Sequence, residues 1–99
     1  MIDLAERDLT TVIAILKKHV PDRRVCVFGS RAQGTAKKFS DLDLAVMTDK
    51  PLTFSKLSAL REDFAESKLP FRVDIVDWAT TNEEFRQVIQ KNCQEIYRP

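Results

Sequence analysis

Apolar residues recur at helical spacing at the start of the chain. Ala5, Leu9, Val12, Ile13 and Leu16 form one stripe, and Glu6, Arg7 and Asp8 fall on the polar side. This predicts a helix from about Asp3 to His19 that stops before Pro21. His19 at its end is read as a favourable partner for the helix dipole. Val25-Cys26-Val27-Phe28 is a short continuous apolar run ending at Gly29, the pattern of a strand buried on both faces. A tight turn, a short helix and a polar loop follow through Lys37 and Lys38. Asp41 to Met47 alternates in part and reads as a second strand. Thr53 or Ser55 caps the next helix, whose apolar stripe is Leu57, Leu60 and Phe64. Phe71 to Trp78, rich in β-branched and aromatic residues, reads as a third strand. Thr81-Asn82-Glu83-Glu84 has the form of a capping box. The helix after it is expected to bury Phe85, Val88, Ile89 and Cys93. Ile96 and Tyr97 either add a short strand or pack on the core. The predicted order is α-β-α-β-α-β-α.

At 99 residues the chain is expected to be one domain, 1–99, without repeat or linker. Sixteen Lys+Arg balance fifteen Asp+Glu, which excludes a broadly basic nucleic-acid coat and an acidic tail protein. No direct nucleic-acid binding is expected. No apolar run approaches the roughly 18 residues that span a bilayer, and the acidic start Met1-Ile2-Asp3-Leu4 predicts no signal peptide. Cytoplasm is the expected compartment, and Cys26 and Cys93 are expected to be free thiols.

The chemistry concentrates in Gly29-Ser30, ten residues, then Asp41-Leu42-Asp43. Both glycines of the chain, Gly29 and Gly34, fall in one six-residue stretch, as a backbone that turns sharply or approaches a ligand requires. Ser30 at the start of the short helix offers a hydroxyl where free N–H groups favour an anion. Asp41 and Asp43 lie two apart on a strand, so both carboxylates share one face about 7 Å apart. Leu42, Leu44 and Val46 point the other way. Co-facial carboxylates suit hard divalent cations and are the protein half of a two-metal phosphoryl-transfer site. A third acid comes from Arg72-Val73-Asp74-Ile75-Val76-Asp77. Asp74 lies mid-strand, where an unpaired carboxylate is expensive, whereas Asp77 at the strand end is read as a solvated or capping acid. Asp74 is therefore the candidate third ligand.

Gly29-Ser30-x10-Asp41-x-Asp43, preceded by Val25 to Phe28 and followed by Asp74, resembles the signature of the DNA polymerase β-type nucleotidyltransferase superfamily. Phe28 to Gly34 and Ser40 to Val46 resemble most the minimal nucleotidyltransferases, or MNT proteins, with Gln33 standing where that family usually has a second arginine. The resemblance implies an α/β (α+β) fold: a small mixed sheet with helices mainly on one face. It implies that Asp41, Asp43 and Asp74 hold two Mg²⁺ and that Asp74 also orients or deprotonates the acceptor hydroxyl. Gly29 and Ser30 would hold the β- and γ-phosphates of ATP, with Arg31 a further candidate for phosphate contact. Lys37 and Lys38 read as solvated loop charges. It implies an acceptor supplied by an all-helical HEPN partner, a toxin to which this chain is the antitoxin, with AMP transferred to a partner tyrosine. Two other readings stand beside it: a binding module that neutralises the partner without turnover, and a transferase acting on a small molecule.

Overall fold

The computed structural model describes residues 2–99. Helix α1 (Glu6–His19), strand β1 (Val25–Phe28), helix α2 (Ser30–Gln33), strand β2 (Leu42–Val46), helix α3 (Phe54–Glu66), strand β3 (Val73–Asp77), helix α4 (Glu83–Lys91) and strand β4 (Gln94–Tyr97) follow in order, with a 3₁₀ turn at Trp78–Thr80. The four strands make one mixed sheet in the order β3-β2-β1-β4. β1 runs antiparallel to β2 and to β4, and β2 runs parallel to β3. The expected mixed sheet is present, and the residues around Ile96 and Tyr97 resolve as its fourth strand.

Alternation divides the sheet into two faces. Val25 and Val27 of β1, Leu42, Leu44 and Val46 of β2, and Ile75 of β3 point to the face covered by α1 and α3. There they meet Val12, Ile15 and Leu16 from α1 and Leu60 and Phe64 from α3. Phe28 and Ala45 point to the other face, which α4 covers with Ile89. Helices α1 and α3 thus hold the main core, and the second face is only partly covered.

Several local expectations shift. Helix α1 starts at Glu6 rather than Asp3, because the Asp3 N–H donates to the Arg31 carbonyl and the Asp3 carbonyl accepts from Arg31 Nη1. Its buried positions are Asp8, Val12, Ile15 and Leu16, so Ala5 lies outside and Asp8 inside. His19, besides ending α1, is bonded through Nε2 to Asp63 Oδ2 of α3 at 2.8 Å. Thr53, not Ser55, caps α3 by accepting from Lys56 N–H at 3.1 Å. The capping box at Thr81 does not form. Asn82 is the cap instead, accepting from Phe85 N–H at 2.8 Å. Helix α4 buries only Ile89, and Phe85 and Val88 stay 37% and 56% exposed.

The free-thiol expectation is corrected: Cys26 and Cys93 form a disulfide, with Cα atoms 5.7 Å apart. Cys26 lies on the same face as Phe28, and the chain leaving α4 enters β4 beside β1, which brings Cys93 onto it. Without the β1–β4 pairing the two cysteines have no visible relation in the sequence.

Two stability predictions follow from this packing. Leu44, fully buried mid-strand, should cost about 2–5 kcal/mol on truncation to alanine, measured by urea unfolding. The His19 hydrogen bond, helped by Lys18, holds the Asp63 carboxyl below its ordinary range. A lowered pKa gives stability that is present above the ordinary value near 3.9 and lost as pH falls through the lowered one. Asp63→Asn should therefore lower Tm at pH 7, and its difference from the wild type should close as pH falls below the ordinary carboxylate range.

Candidate active site

The β2–β3 register sets Asp43 directly opposite Asp74, on the face away from α1 and α3. Parallel pairing with Leu42 against Val73 and Leu44 against Ile75 sends the apolar neighbours of both acids into the main core. Asp41 lies two residues before Asp43, immediately ahead of β2 and exposed. Burial raises the Asp43 pKa first, and the negative charges of Asp74 and then Asp41 add to it. Asp74 and Asp41 thus each lie close enough to Asp43 to disfavour its charge, on top of its burial.

Strand β1 delivers the turn to the same place. Phe28 pairs with Asp43, so Gly29 follows at the level of that carboxylate. Gly29 has φ 72° and ψ −154°, a region used almost only by glycine. A Cβ there would collide with the Asp43 Oδ2 atom and lie 3.2 Å from Cγ. Absence of a side chain at residue 29 therefore keeps the Asp43 carboxylate in place and leaves backbone beside it. Ser30 opens α2, and Gly34 closes it in the left-handed conformation, φ 79°, with Thr35 N–H on the Ser30 carbonyl at 3.1 Å.

A cleft of about 820 Å³ is lined by Asp43 and Asp74 together with Phe28, Phe85, Arg61 and Arg72. The Phe28 and Phe85 rings meet edge to face at 5.8 Å. Asp74 leans on Arg72, whose Nη2 lies 3.4 Å from Oδ1. Among the described residues no three His, Cys, Asp or Glu side chains are gathered tightly enough to form a finished metal cage. The donor set nonetheless fits a divalent cation by its chemistry. Carboxylate oxygens are hard ligands, and the raised Asp43 pKa marks negative charge that a cation would relieve.

Arg31 has a different job from the phosphate contact expected of it. It is buried, its Nε and Nη2 donate to the Ser40 carbonyl at 3.0 and 2.8 Å, Nη2 also reaches the Lys38 carbonyl at 3.2 Å, and Nη1 donates to the Asp3 carbonyl at 2.9 Å. Its guanidinium stacks 4.2 Å over the Phe71 ring. The side chain is committed to holding the leading segment and the loop before Asp41, so it positions that acid's approach and is withdrawn as a phosphate ligand. Asp77 is the cap expected of it: Oδ1 accepts from Ala79 N–H at 3.2 Å and Oδ2 from Leu52 N–H at 2.8 Å. The residues missed by sequence reasoning are Phe85, Arg61 and Arg72. Only the proximity of Arg72 to Asp74, two positions along one strand, was available as a signal.

Paired carboxylates on a sheet face, abutting a strand–Gly-Ser–helix turn, define a nucleotidyltransferase site, and the chain belongs to the polymerase beta nucleotidyltransferase family, whose model matches residues 10–99. It is 51% identical over 90 residues to the probable protein adenylyltransferase MntA of Haemophilus influenzae, covering 91% of this chain and 79% of that relative. It superposes with TM-score 0.77 and 26% identity on a solved toxin–antitoxin with AMP-PNP, over 93% of this chain and 74% of the other. At 21% identity and TM-score 0.72 it shares the fold of a chain in the complex of a tri-AMPylated Shewanella oneidensis HEPN toxin with an MNT antitoxin, over 95% of this chain and 72% of that one. The expected family and the expected enzyme class, a nucleotidyltransferase, are thereby established.

The site generates two predictions. Asp43 with a raised pKa is favourable to folding below the ordinary carboxylate value, and that contribution is lost as pH rises through the raised one. Asp43→Asn should therefore raise Tm at pH 7, with the gain vanishing below about pH 4. Gly29→Ala should cost about 1–3 kcal/mol from backbone conformation alone, read by urea unfolding, and should displace the Asp43 carboxylate.

Proposed function

We propose that this chain transfers AMP from ATP to a protein hydroxyl, a tyrosine of a HEPN-type helical toxin partner, and so acts as its antitoxin. The observation that carries the reading is the Asp43–Asp74 rung of the β2–β3 ladder, with Asp41 above it and Gly29-Ser30 against it. Like charges set beside Asp43 destabilise a fold that has no use for them, and phosphoryl transfer is the chemistry that uses them. The 51% identical relative named a protein adenylyltransferase, and the AMP-PNP complex of a structural neighbour, support AMP as the transferred group.

Asp41, Asp43 and Asp74 would hold two Mg²⁺, whose charge offsets the triphosphate and lowers the pKa of the attacking hydroxyl. Gly29 lets the triphosphate approach the backbone without a side chain in the way, and the Ser30 hydroxyl donates to a phosphate oxygen. Asp74, on the outermost of the strands that carry the acids, accepts a hydrogen bond from the acceptor hydroxyl and aims its oxygen at the α-phosphorus. Phe28 and Phe85 line the cleft and limit water near the reacting groups. No helix of the described residues is long and apolar enough to cross a membrane.

Co-expression with the HEPN partner, followed by intact-mass measurement, tests the reading. The partner should gain one or more AMP units. Asp41→Asn, Asp43→Asn and Asp74→Asn should each slow label transfer from ATP by about 100-fold or more. A partner that stays unmodified while Asp43→Asn still suppresses its toxicity would instead make this chain a binding module.

A further inference from the structure

The catalytic face ends at β3, the outer strand of the sheet. Leu42 N–H bonds the Arg72 carbonyl at 2.8 Å, which fixes the direction of alternate peptide groups. Arg72, Asp74 and Val76 turn their backbone polar groups toward β2, and Val73, Ile75 and Asp77 turn theirs outward. Side-chain hydrogen bonds agree with this parity. Arg61 Nη2 donates to the Ile75 carbonyl at 3.3 Å, and the Thr80 and Thr81 hydroxyls donate to the Asp77 carbonyl at 3.2 and 2.7 Å. Both polar groups of Val73 and the Ile75 N–H still face outward along the edge. The cleft follows that edge from Val76 to Arg72, and a second hollow of about 550 Å³ continues it past Arg72 to Phe71 and Phe39.

An open strand edge is a template for another strand, and its neighbours' charge selects which one. Arg61 and Arg72 are the charged residues lining the second hollow, and the Arg72 side chain, 3.4 Å from Asp74 Oδ1, is 78% exposed. The one acid on the strand's catalytic face, Asp74, marks where a hydroxyl must arrive. We infer that the β3 edge is the acceptor dock: it takes an extended, acidic, hydroxyl-bearing polypeptide segment as a fifth strand. Paired strands bring facing Cα atoms to about 4.5–5.5 Å, so a side chain beside Asp74 on the same face lies next to its carboxylate. Arg61 yields the Ile75 carbonyl to the incoming N–H and takes a carboxylate in exchange, a stronger bond for a guanidinium. A nucleic-acid strand would satisfy the two arginines but not the outward peptide groups of Val73 and Ile75.

The inference rests on a protein acceptor, and its test needs no turnover. The full chain, ¹⁵N-labelled and without nucleotide, is titrated with a decapeptide carrying one tyrosine flanked by glutamates. Amide shifts should cluster at Val73–Asp77. Methylating the peptide's backbone nitrogens at two alternate positions should weaken binding about tenfold, and this arm leaves the protein unaltered. Arg61→Glu should weaken the glutamate peptide about fivefold and strengthen a lysine-flanked one. Shifts that map away from β3, equal binding of the methylated peptide, or tighter binding of a ten-nucleotide RNA would each overturn the dock. Failure of AMP transfer with docking intact would strike the proposed activity alone.

Discussion

Asp43 and Asp74 face each other across one rung of a parallel ladder, and the rest of the molecule is arranged so that they do. Two like charges on adjacent strands destabilise a sheet. Here the opposite face offsets that cost. Leu42, Leu44 and Ile75, interleaved with the acids, are buried under α1 and α3, and any one-residue slip of β2 would drive the carboxylates into that core. The register that the hydrophobic face enforces is therefore the register that builds the site.

The turn and the loop serve the same rung. Gly29 adopts a backbone conformation that only glycine tolerates well, and the atom it lacks would occupy the place of the Asp43 carboxylate. Arg31, two residues further on, spends its donors on the carbonyls of Asp3, Lys38 and Ser40 and so pins the loop that leads into Asp41. A cation in a phosphate-binding motif thus acts as a fastener. The chain belongs to the polymerase beta nucleotidyltransferase family, and the proposed chemistry gives this arrangement its sense: negative charge that cations and a triphosphate would use.

Much of this was legible because strand parity is strict. Period two sets Asp43 on the face opposite the leucines and separates Asp74 from Asp77, while Asp41 lies ahead of β2, beyond the reach of that rule. The stripe of α3 was legible, α1 starts later because Arg31 holds Asp3 extended, and α4 buries only Ile89 of its predicted stripe. What stayed hidden depends on long-range pairing. The disulfide between Cys26 and Cys93 needs the β1–β4 pairing, and the cleft wall needs α4 to set Phe85 against Phe28. The capping of α4 by Asn82 rather than Thr81 is a one-residue choice between two good caps. Arg31 misled because a guanidinium beside a Gly-Ser turn has the same sequence whether it reaches outward to a phosphate or inward to three carbonyls.

Asp41, Asp43 and Asp74 are proposed to form one cation-binding unit beside the Gly29-Ser30 turn. Paramagnetic broadening tests it most directly: Mn²⁺ is added to the ¹⁵N-labelled chain in the presence of AMP-PNP, and the spectrum is compared with that of Asp43→Asn. The account predicts loss of signal around Asp41, Asp43, Asp74, Gly29 and Ser30 at metal concentrations that spare α1, and recovery of those signals in the variant. Broadening centred elsewhere, or unchanged in Asp43→Asn, would contradict it.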